Sequence, residues 1–170
     1  MSSNAHKPSG EITSPARWVV AISLATLAID QGVKAYQRAA MAVGETHALI
    51  PGIFHLTYRE NSGAAFSLFS GNPRPLAAVA VLVVAIVVWL WRSAQPRGWM
   101  PALGAGLLVG GAVGNAIDRL AFGVVTDIFD FRLINFAVFN VADSAITVGA
   151  ILLGVWLVFF SEYLSEDGGR

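Results

Sequence analysis

Four long apolar stretches dominate this sequence and restrict the folds that it can adopt. They cover approximately residues 17–36, 74–91, 100–120 and 140–163. Because a bilayer core about 30 Å thick requires about 20 mostly apolar helical residues, each stretch predicts a transmembrane helix. A mean hydropathy of +0.63 and a charged fraction of 13% agree, since soluble domains carry about 25% charged residues. The predicted fold is a membrane all-α protein, a bundle of four transmembrane helices.

The polar segments at the two ends are predicted to lie in the cytoplasm. Arg92 and Arg97 occupy the short connection between the second and third stretches, where no acidic residue accompanies them. Short basic segments face the cytoplasm in membrane proteins, although basic residues on the opposite side weaken the rule here. We therefore predict a disordered cytoplasmic tail at 1–16, a membrane domain at 17–163 and a second cytoplasmic tail at 164–170.

A segment between the first two stretches has the pattern of a β-strand. In "IFHLTYR", Phe54, Leu56 and Tyr58 alternate with polar residues, which is typical of a strand with one buried face. The later segment "VVTDIFDF" is also rich in β-forming residues. We predict a small extracytoplasmic β element at about 44–62, resting on the membrane.

Glycines recur at helical spacing in the third stretch. Gly106, Gly110 and Gly114 form two overlapping GxxxG spacings. Because packing drives helix association in lipid, small residues at this spacing predict close contact with a neighbouring helix. This packing role explains most of these glycines without any catalytic function.

Polar residues gather at one level of the predicted topology, near the outer face of the membrane. They lie on three predicted helices and in the outer connections: Asp30, Lys34, Asn61, Asn115, Asp118, Arg119, Asp127, Asn140 and Asp143. An ionisable group in the hydrocarbon region costs several kcal/mol unless it is paired or hydrated, so such a group is a candidate functional residue. The sequence therefore predicts a site near the outer face.

Some of these residues also have a purely structural explanation. Asp30 and Lys34 are four residues apart on a helix and can form an ion pair with each other. Asn115 and Asn140 can hold helices together by hydrogen bonds. Asp118 and Arg119 are adjacent and point in different directions, so each needs a partner elsewhere, for support, substrate orientation or chemistry. In a connection, Asp130 is expected to be solvated or part of a turn.

Asp127 and Asp143 fit a structural explanation less well. Neither has a basic partner at helical spacing, and Asp143 stands at the start of its helix, where free backbone N–H groups favour a carboxylate. Helix capping explains Asp143 alone, but not a second carboxylate at the same level. Two neighbouring carboxylates do not both ionise easily, so one keeps a proton, and the pair supplies an acid and a base. This pair can activate water against a peptide carbonyl.

Several other functions lack the residues that they need. A net charge of zero gives no basic surface for nucleic acid, and the chain has no cysteine. No HExxH motif is present, which argues against a zinc protease, and no GxxxxGK[ST] or GxGxxG motif is present to bind phosphate groups or a dinucleotide. A serine protease needs a base beside a buried serine, but no histidine lies in an apolar stretch, and Asp30 is better placed to pair with Lys34.

Two functions from other classes remain as alternatives to a protease. A small transporter or channel subunit can use buried charges as a conduction path, although such sites lie near the bilayer midplane and often accompany repeat symmetry. The charges here concentrate at one face, and no internal repeat is visible. A catalytically inactive scaffold that binds the substrate of such a protease without cutting it is the second alternative.

At these residues the sequence resembles the lipoprotein signal peptidases, also called signal peptidase II. The matching motifs occur in the family's order from about residue 17 to 162: "DQGVK" at 30–34, "NSGAAF" at 61–66, "GGAVGNAIDR" at 110–119, "VVTDIFDF" at 124–131 and "FNVADSAI" at 139–146. The chain departs from the family pattern at Thr126, where a second valine is expected. The tail at 1–16 has no counterpart in the pattern.

The resemblance implies an aspartic endopeptidase that acts as a monomer in the bacterial inner membrane, with its site near the outer face. Such enzymes cut a prolipoprotein signal peptide before a cysteine that carries a diacylglyceryl group, so membrane lipid and lipid-modified precursors are the implied partners. The resemblance makes Asp127 and Asp143 the catalytic residues and gives Asp30 and Lys34 a structural role. It assigns substrate binding or site support to Asn61, Gly111, Asn115, Asp118, Arg119 and Asn140.

Overall fold

The computed structural model describes residues 15–63, 74–94 and 96–160. Its helices are α1 (Pro15–Ala40), α2 (Arg74–Ala94), α3 (Trp99–Phe122) and α4 (Val141–Phe160). All four are long and apolar enough to cross a membrane, and with a three-stranded sheet they confirm the predicted fold class.

The predicted start of the membrane domain, at residue 17, differs from the start of α1 in the structure. Pro15 and Ala16, assigned to the tail from the sequence, form the first residues of α1. Proline is favoured at the first helical position, because its missing N–H is one that has no intrahelical partner there. The rest of that tail and the tail at 164–170 lie outside the described residues.

The central element of the bundle is α3, which contacts each of the other three helices. Glycines on α3 allow its neighbours to approach closely. A Cβ atom at Gly106 would lie 2.6 Å from the Ile22 side chain, and one at Gly110 would lie 2.7 Å from the Ser23 carbonyl oxygen, both on α1. The glycine spacing therefore produces the close helix contact that the sequence predicts.

A second glycine face of α3 packs against α4. A Cβ atom at Gly111 would lie 2.5 Å from the carbonyl oxygen of Ala142, in the first turn of α4. The C-terminal part of α3, which contains Asn115, Asp118 and Arg119, is thereby held close to the start of α4. Gly111 allows this close approach.

The sheet lies beyond the helix ends and consists of β1 (Thr46–Ile50), β2 (Phe54–Asn61) and β3 (Val125–Phe131). The order is β1-β2-β3, and both pairs are antiparallel. The first two strands come from the segment between α1 and α2, whereas β3 connects α3 to α4. The third strand brings the end of α3, the sheet and the start of α4 together at one place.

A tight turn between α3 and β3 sets the position of Asp127. Gly123 follows the last residue of α3 with φ 77°, a left-handed conformation, and its N–H donates to the carbonyl oxygen of Arg119. Glycine adopts this conformation at little cost, so it is the usual residue at a helix end of this type. In the sheet, the Cα of Asp127 pairs with that of Arg59, and Val125 pairs with Asn61.

Candidate active site

The first turn of α4 contains Asp143 in a reciprocal capping arrangement. The Oδ1 atom of Asn140 accepts the Asp143 backbone N–H at 2.9 Å, and the Asp143 carboxylate accepts the Asn140 backbone N–H at 3.2 Å. Asn140 is therefore the N-cap, and Asp143 is the third residue of the helix, in the pattern of a capping box. The prediction that Asp143 benefits from the helix start is correct, but Asn140 is the capping residue.

Asp127 lies on β3 and is almost fully buried. One of its carboxylate oxygens accepts a hydrogen bond from the Asn61 side chain at 3.0 Å, and the other accepts one from Asn140 at 2.8 Å. The side chain of Asn140 therefore contacts Asp127 while it caps the helix of Asp143. A single asparagine joins the two carboxylates that the sequence singles out, which we call the cavity aspartates.

A third asparagine approaches Asp143 from α3. The Asn115 side chain donates to the Asp143 carboxylate at 2.7 Å, and its own oxygen accepts from the Lys34 ammonium at 3.0 Å. The Asn140 side chain also donates to that oxygen at 3.3 Å. The asparagines at 61, 115 and 140 thus do more than hold helices together: each donates an amide N–H to a cavity aspartate.

The environment of Asp127 favours its protonated form. Burial, and secondarily the nearby Asp143 carboxylate, raise the pKa of Asp127 from 3.8 to about 7, against the opposing hydrogen bonds from Asn61 and Asn140. Desolvation and a neighbouring like charge both disfavour the ionised form. Near neutral pH, Asp127 can therefore hold a proton and act as an acid.

Both cavity aspartates line a cavity of about 590 Å³. Arg119 adds a cation to this cavity, while Phe136, Phe139 and Val148 provide apolar surface. Cavities of this size accommodate ligand-sized groups, and a few polar side chains among apolar ones are typical of binding sites. The arrangement suits a substrate that is mostly apolar and reacts at one polar bond.

Arg119 has hydrogen-bonding capacity left for a ligand. Its guanidinium donates to the backbone oxygens of Asn115 at 3.3 Å and Gly63 at 3.4 Å, while its buried Nε has no hydrogen-bond partner among the described residues. Such a cation, fixed by backbone oxygens at the edge of a cavity, can bind a carbonyl or an anionic group.

Asp30, Lys34 and Asp118 form a separate group, which we call the ion cluster. The Lys34 ammonium lies 2.9 Å from Asp30 and 3.1 Å from Asp118, and all three side chains are at most 1% exposed. The predicted pairing of Asp30 with Lys34 is confirmed. Asp30 also accepts the Ala142 N–H at 2.9 Å, and Asp118 accepts the Thr126 N–H at 3.1 Å, so the cluster holds the starts of α4 and β3.

Comparisons with known proteins identify the family of this chain. The profile of the family described as Signal peptidase (SPase) II matches residues 22–159. The chain belongs to the signal peptidase II family. Because that family consists of proteases, and because four helices are suited to span a membrane, the chain is a multi-pass membrane protease.

Individual relatives cover most of the chain. A lipoprotein signal peptidase from Gloeobacter violaceus is 48% identical over 82% of this chain and 80% of its own length. One from Lactobacillus gasseri is 39% identical over 83% of this chain and 92% of its own length. A solved structure described as a bacterial membrane enzyme, determined by the in meso method at 2.3 Å, is 27% identical with a TM-score of 0.78, covering 87% of this chain and 92% of that chain.

The departure from the signal peptidase II pattern at Thr126 has a local explanation. Thr126 is buried on β3, and its hydroxyl accepts a hydrogen bond from Arg38 at 3.0 Å. The same guanidinium lies 3.6 Å from Asp118 and 4.4 Å from the centre of the Phe122 ring. A hydroxyl at this position therefore has a partner and does not disturb the adjacent Asp127.

Two supporting residues were not predicted from the sequence. The Gln31 side chain donates to Asp118 at 3.2 Å and to the carbonyl oxygen of Gly114 at 3.1 Å. Arg38 contacts Asp118 and Thr126, as described above. The sequence could have indicated both residues by their positions on α1. Gln31 is adjacent to Asp30, and Arg38 follows Lys34 by four residues and so lies on the same helix face.

The expectation for Asp130 was wrong. It lies on β3 with 8% of its surface exposed, and its carboxylate accepts hydrogen bonds from Thr57 at 2.7 Å and Arg132 at 2.9 Å. Burial opposes ionisation, but the bonds from Thr57 and Arg132 outweigh it and hold the pKa of Asp130 below its usual value. Asp130 thus stabilises the sheet and does not line the cavity.

Within residues 15–63, 74–94 and 96–160, no group of three or more histidine, aspartate or glutamate side chains is arranged to hold a metal ion. Four of the aspartates occur instead in the ion cluster around Lys34 and as the cavity aspartates, which accept hydrogen bonds from amides.

Proposed function

We propose that this membrane protease is an aspartic endopeptidase that removes the signal peptide from diacylglyceryl-modified prolipoproteins, cutting before the lipidated cysteine. The observation that carries the proposal is the pair of cavity aspartates on one cavity, joined through Asn140, with the pKa of Asp127 raised to about 7. The substrate class is supported by the relatives, which are named lipoprotein signal peptidases.

The two carboxyl groups take complementary roles in this mechanism. Ionised Asp143 accepts a proton from water while the water oxygen bonds to the scissile carbonyl carbon. Protonated Asp127 supplies its proton to the departing amine as the C–N bond breaks. The products are a carboxylic acid and the free amino group of the lipidated cysteine. Transfer of one proton from Asp143 to Asp127 through solvent restores the starting state.

The cavity also suits a lipid-linked peptide. Phe136, Phe139 and Val148 offer apolar surface to acyl chains or to the hydrophobic part of a signal peptide. Arg119, whose Nε has no hydrogen-bond partner within residues 15–63, 74–94 and 96–160, can bind a peptide carbonyl or a lipid head group. In this proposal, substrate enters laterally from the bilayer.

Asn61, Asn115 and Asn140 hold the cavity aspartates in position. Because the two carboxyl groups and water carry out the proposed hydrolysis, no cofactor is needed.

The proposed setting is the bacterial cytoplasmic membrane, with both termini in the cytoplasm and the site near the outer face of a monomer. The chain has no cysteine, so single introduced cysteines report topology directly. Leu49→Cys, on the exposed β1 strand, should react with an impermeant maleimide in intact spheroplasts, whereas Arg92→Cys should react only after permeabilisation. The reverse pattern would reject this orientation.

Cleavage of a defined precursor tests the enzymatic proposal. Purified protein is incubated with a diacylglyceryl-modified precursor and with the same precursor lacking the lipid, and mass spectrometry locates the cut. Asp127→Asn and Asp143→Asn should each abolish cleavage, whereas Asp130→Asn, a change on the same strand as Asp127 but off the cavity, should retain it. Cleavage that survives either catalytic substitution in folded protein would reject the assignment.

The same experiment separates the alternative functions. A protein that binds the lipid-modified precursor without cutting it would be a scaffold. Precursor-independent ion or solute flux in reconstituted vesicles would indicate a channel or transporter. We expect cleavage of the lipid-modified precursor, none of the unmodified one, and no flux.

A further inference from the structure

We infer that Lys34 is a positioning residue for the hydrolysis, because it fixes the orientation of the Asn115 amide and thereby keeps an N–H donor on Asp143. This inference rests on the proposed function of Asp143 as the base. It adds a role in the reaction to a residue that the sequence assigns to structure alone.

The hydrogen bonds of Lys34 are fully used. Its buried ammonium has three acceptors: Asp30 at 2.9 Å, Asp118 at 3.1 Å and Asn115 at 3.0 Å. An ammonium has three N–H donors and no acceptor. Each donor therefore has one partner, and the atom of Asn115 that faces Lys34 must be its oxygen.

The other end of the Asn115 amide faces the Asp143 carboxylate at 2.7 Å. An ionised carboxylate only accepts hydrogen bonds. An amide between an obligate donor and an obligate acceptor has a single favourable orientation, with its oxygen toward Lys34 and its NH₂ toward Asp143. The ammonium thus acts on Asp143 through an intervening neutral group.

Asn61 and Asn140 are oriented in a different way. The oxygen of Asn61 accepts the backbone N–H of Gly63 at 3.0 Å, and that of Asn140 accepts the backbone N–H of Asp143 at 2.9 Å. Backbone donors persist in nearly any variant. Among these asparagines, Asn115 takes its shortest orienting bond from a side chain, so its orientation can be changed by one substitution. The remaining bond to its oxygen, from Asn140, is longer at 3.3 Å.

Loss of Lys34 would free the Asn115 amide to rotate. The orientation with the Asn115 oxygen toward Asp143 is then no longer opposed by the ammonium, and because two acceptors in contact are unfavourable, this orientation is adopted together with a proton on Asp143. A protonated Asp143 cannot accept a proton from water. The charged groups around Asp143 are Asp127 from β3, Arg119 from α3 and Lys34 from α1, with the carboxylates of the ion cluster behind Lys34.

A test must separate this effect from simple loss of the ion cluster. Lys34→Met alone leaves two buried carboxylates with less compensation and is expected to fold poorly. The double variant Lys34→Met/Asp30→Asn removes both members of one ion pair. Its matched control is Asp30→Asn, which weakens the same pair but keeps the ammonium on Asn115.

The measurement is the pH dependence of kcat and KM per folded enzyme, with a diacylglyceryl-modified precursor as substrate. Relative to Asp30→Asn, the double variant should lose kcat by about tenfold or more, since a positioned base contributes about 10²–10⁴-fold. KM should stay within about twofold, because Lys34 does not line the cavity. The acid limb of the kcat profile should move upward by about one pH unit. Identical profiles for the two variants would overturn the inference.

A second readout does not depend on cleavage. In protein with ¹⁵N-labelled asparagine, the Asn115 side-chain NH₂ resonances should move in the double variant and stay in place in Asp30→Asn. Unchanged resonances in the double variant would overturn the inference even for an inactive protein. Failure of the unmodified protein to cut the precursor would instead reject the proposed function, so the two failures are distinguishable.

Discussion

Two pairs of neighbouring aspartates occur in this structure, and their carboxylates accept hydrogen bonds from different kinds of donor. Asp30 and Asp118 share the ammonium of Lys34, whereas Asp127 and Asp143 share only neutral amide donors. The first pair is closed off from solvent, while the second opens into the cavity. Under the proposed function, the same residue type therefore has a structural role in one place and a catalytic role in the other, according to its hydrogen-bond donors.

The difference between amide and ammonium donors has an electrostatic consequence. An ammonium between two carboxylates lets both stay ionised, because it supplies a compensating charge. Amides satisfy the oxygens but supply no net charge, so two close carboxylates with amide donors keep a proton. An acid–base pair requires that retained proton, whereas a structural cluster works best without it.

The largest effect on kcat is expected when a substitution introduces an ammonium group next to a cavity aspartate. Asn61→Lys places a cation against Asp127, in place of the amide that donates at 3.0 Å. It should favour ionised Asp127 and lower kcat at pH 6 by about 10²-fold or more, since a general acid contributes about 10²–10⁴-fold. Asn61→Met is the control for loss of the amide alone. Equal kcat values for the two variants would show that the charge does not matter.

The converse change weakens the ion cluster. Asp118 accepts from Lys34, Gln31 and the Thr126 N–H, so Asp118→Asn should cost about 3–5 kcal/mol of stability, as expected for a broken buried ion pair. The folded fraction should keep much of its kcat. Unfolding in detergent or lipid and cleavage per folded enzyme measure the two quantities. A fully stable but inactive Asp118→Asn would identify Asp118, and not Asp127, as the partner of Asp143.

Stability should depend on pH through Asp127. Because its pKa is raised from 3.8 to about 7, the folded chain binds this proton more tightly than the unfolded chain does. The resulting stabilisation is complete below about pH 4 and is lost as pH rises through about 7. At about 1.4 kcal/mol per pKa unit, the loss is a few kcal/mol. Unfolding measured from pH 4 to 8 should show a weaker decline in Asp127→Asn, and parallel curves would contradict this prediction.

A smaller effect separates the two roles of Asn140. Asn140→Ala removes the cap of α4 and the bond to Asp127, so it should lose about 1 kcal/mol of stability as well as kcat. Serine is also a good capping residue but cannot reach Asp127 as the amide does. Asn140→Ser should therefore recover stability and remain poor in kcat. Recovery of both in the serine variant would mean that the cap is all that Asn140 provides.

Much of this structure could be predicted from the sequence because strong local patterns carry it. Apolar length predicts the four helices, and the spacing of Gly106, Gly110 and Gly114 predicts the close α1–α3 contact. The predicted four-helix topology brings the polar residues to the same depth in the membrane, and this depth predicts where the site lies. The first two signals are each contained within one segment of the chain, and the third follows once the four helices have been predicted.

Other features depend on contacts between distant segments, which periodicity does not encode. The sheet includes a third strand from the α3–α4 connection, and this pairing buries Asp130, which was expected in solvent or a turn. The cap of α4 is Asn140, three residues before Asp143, and the Asn140 side chain also donates to Asp127 on β3, which is distant from the cap in sequence but not in space. Arg38 was overlooked because its partners, Asp118 and Thr126, are far away in sequence.

The most direct test of the central claim is to observe the proton on Asp127. Infrared spectra of the protein in lipid, recorded from pH 5 to 9, distinguish protonated carboxyl groups from carboxylates. We expect a buried carboxyl signal that titrates near pH 7, disappears in Asp127→Asn and persists in Asp118→Asn. The absence of such a signal, or its survival in Asp127→Asn, would contradict the account.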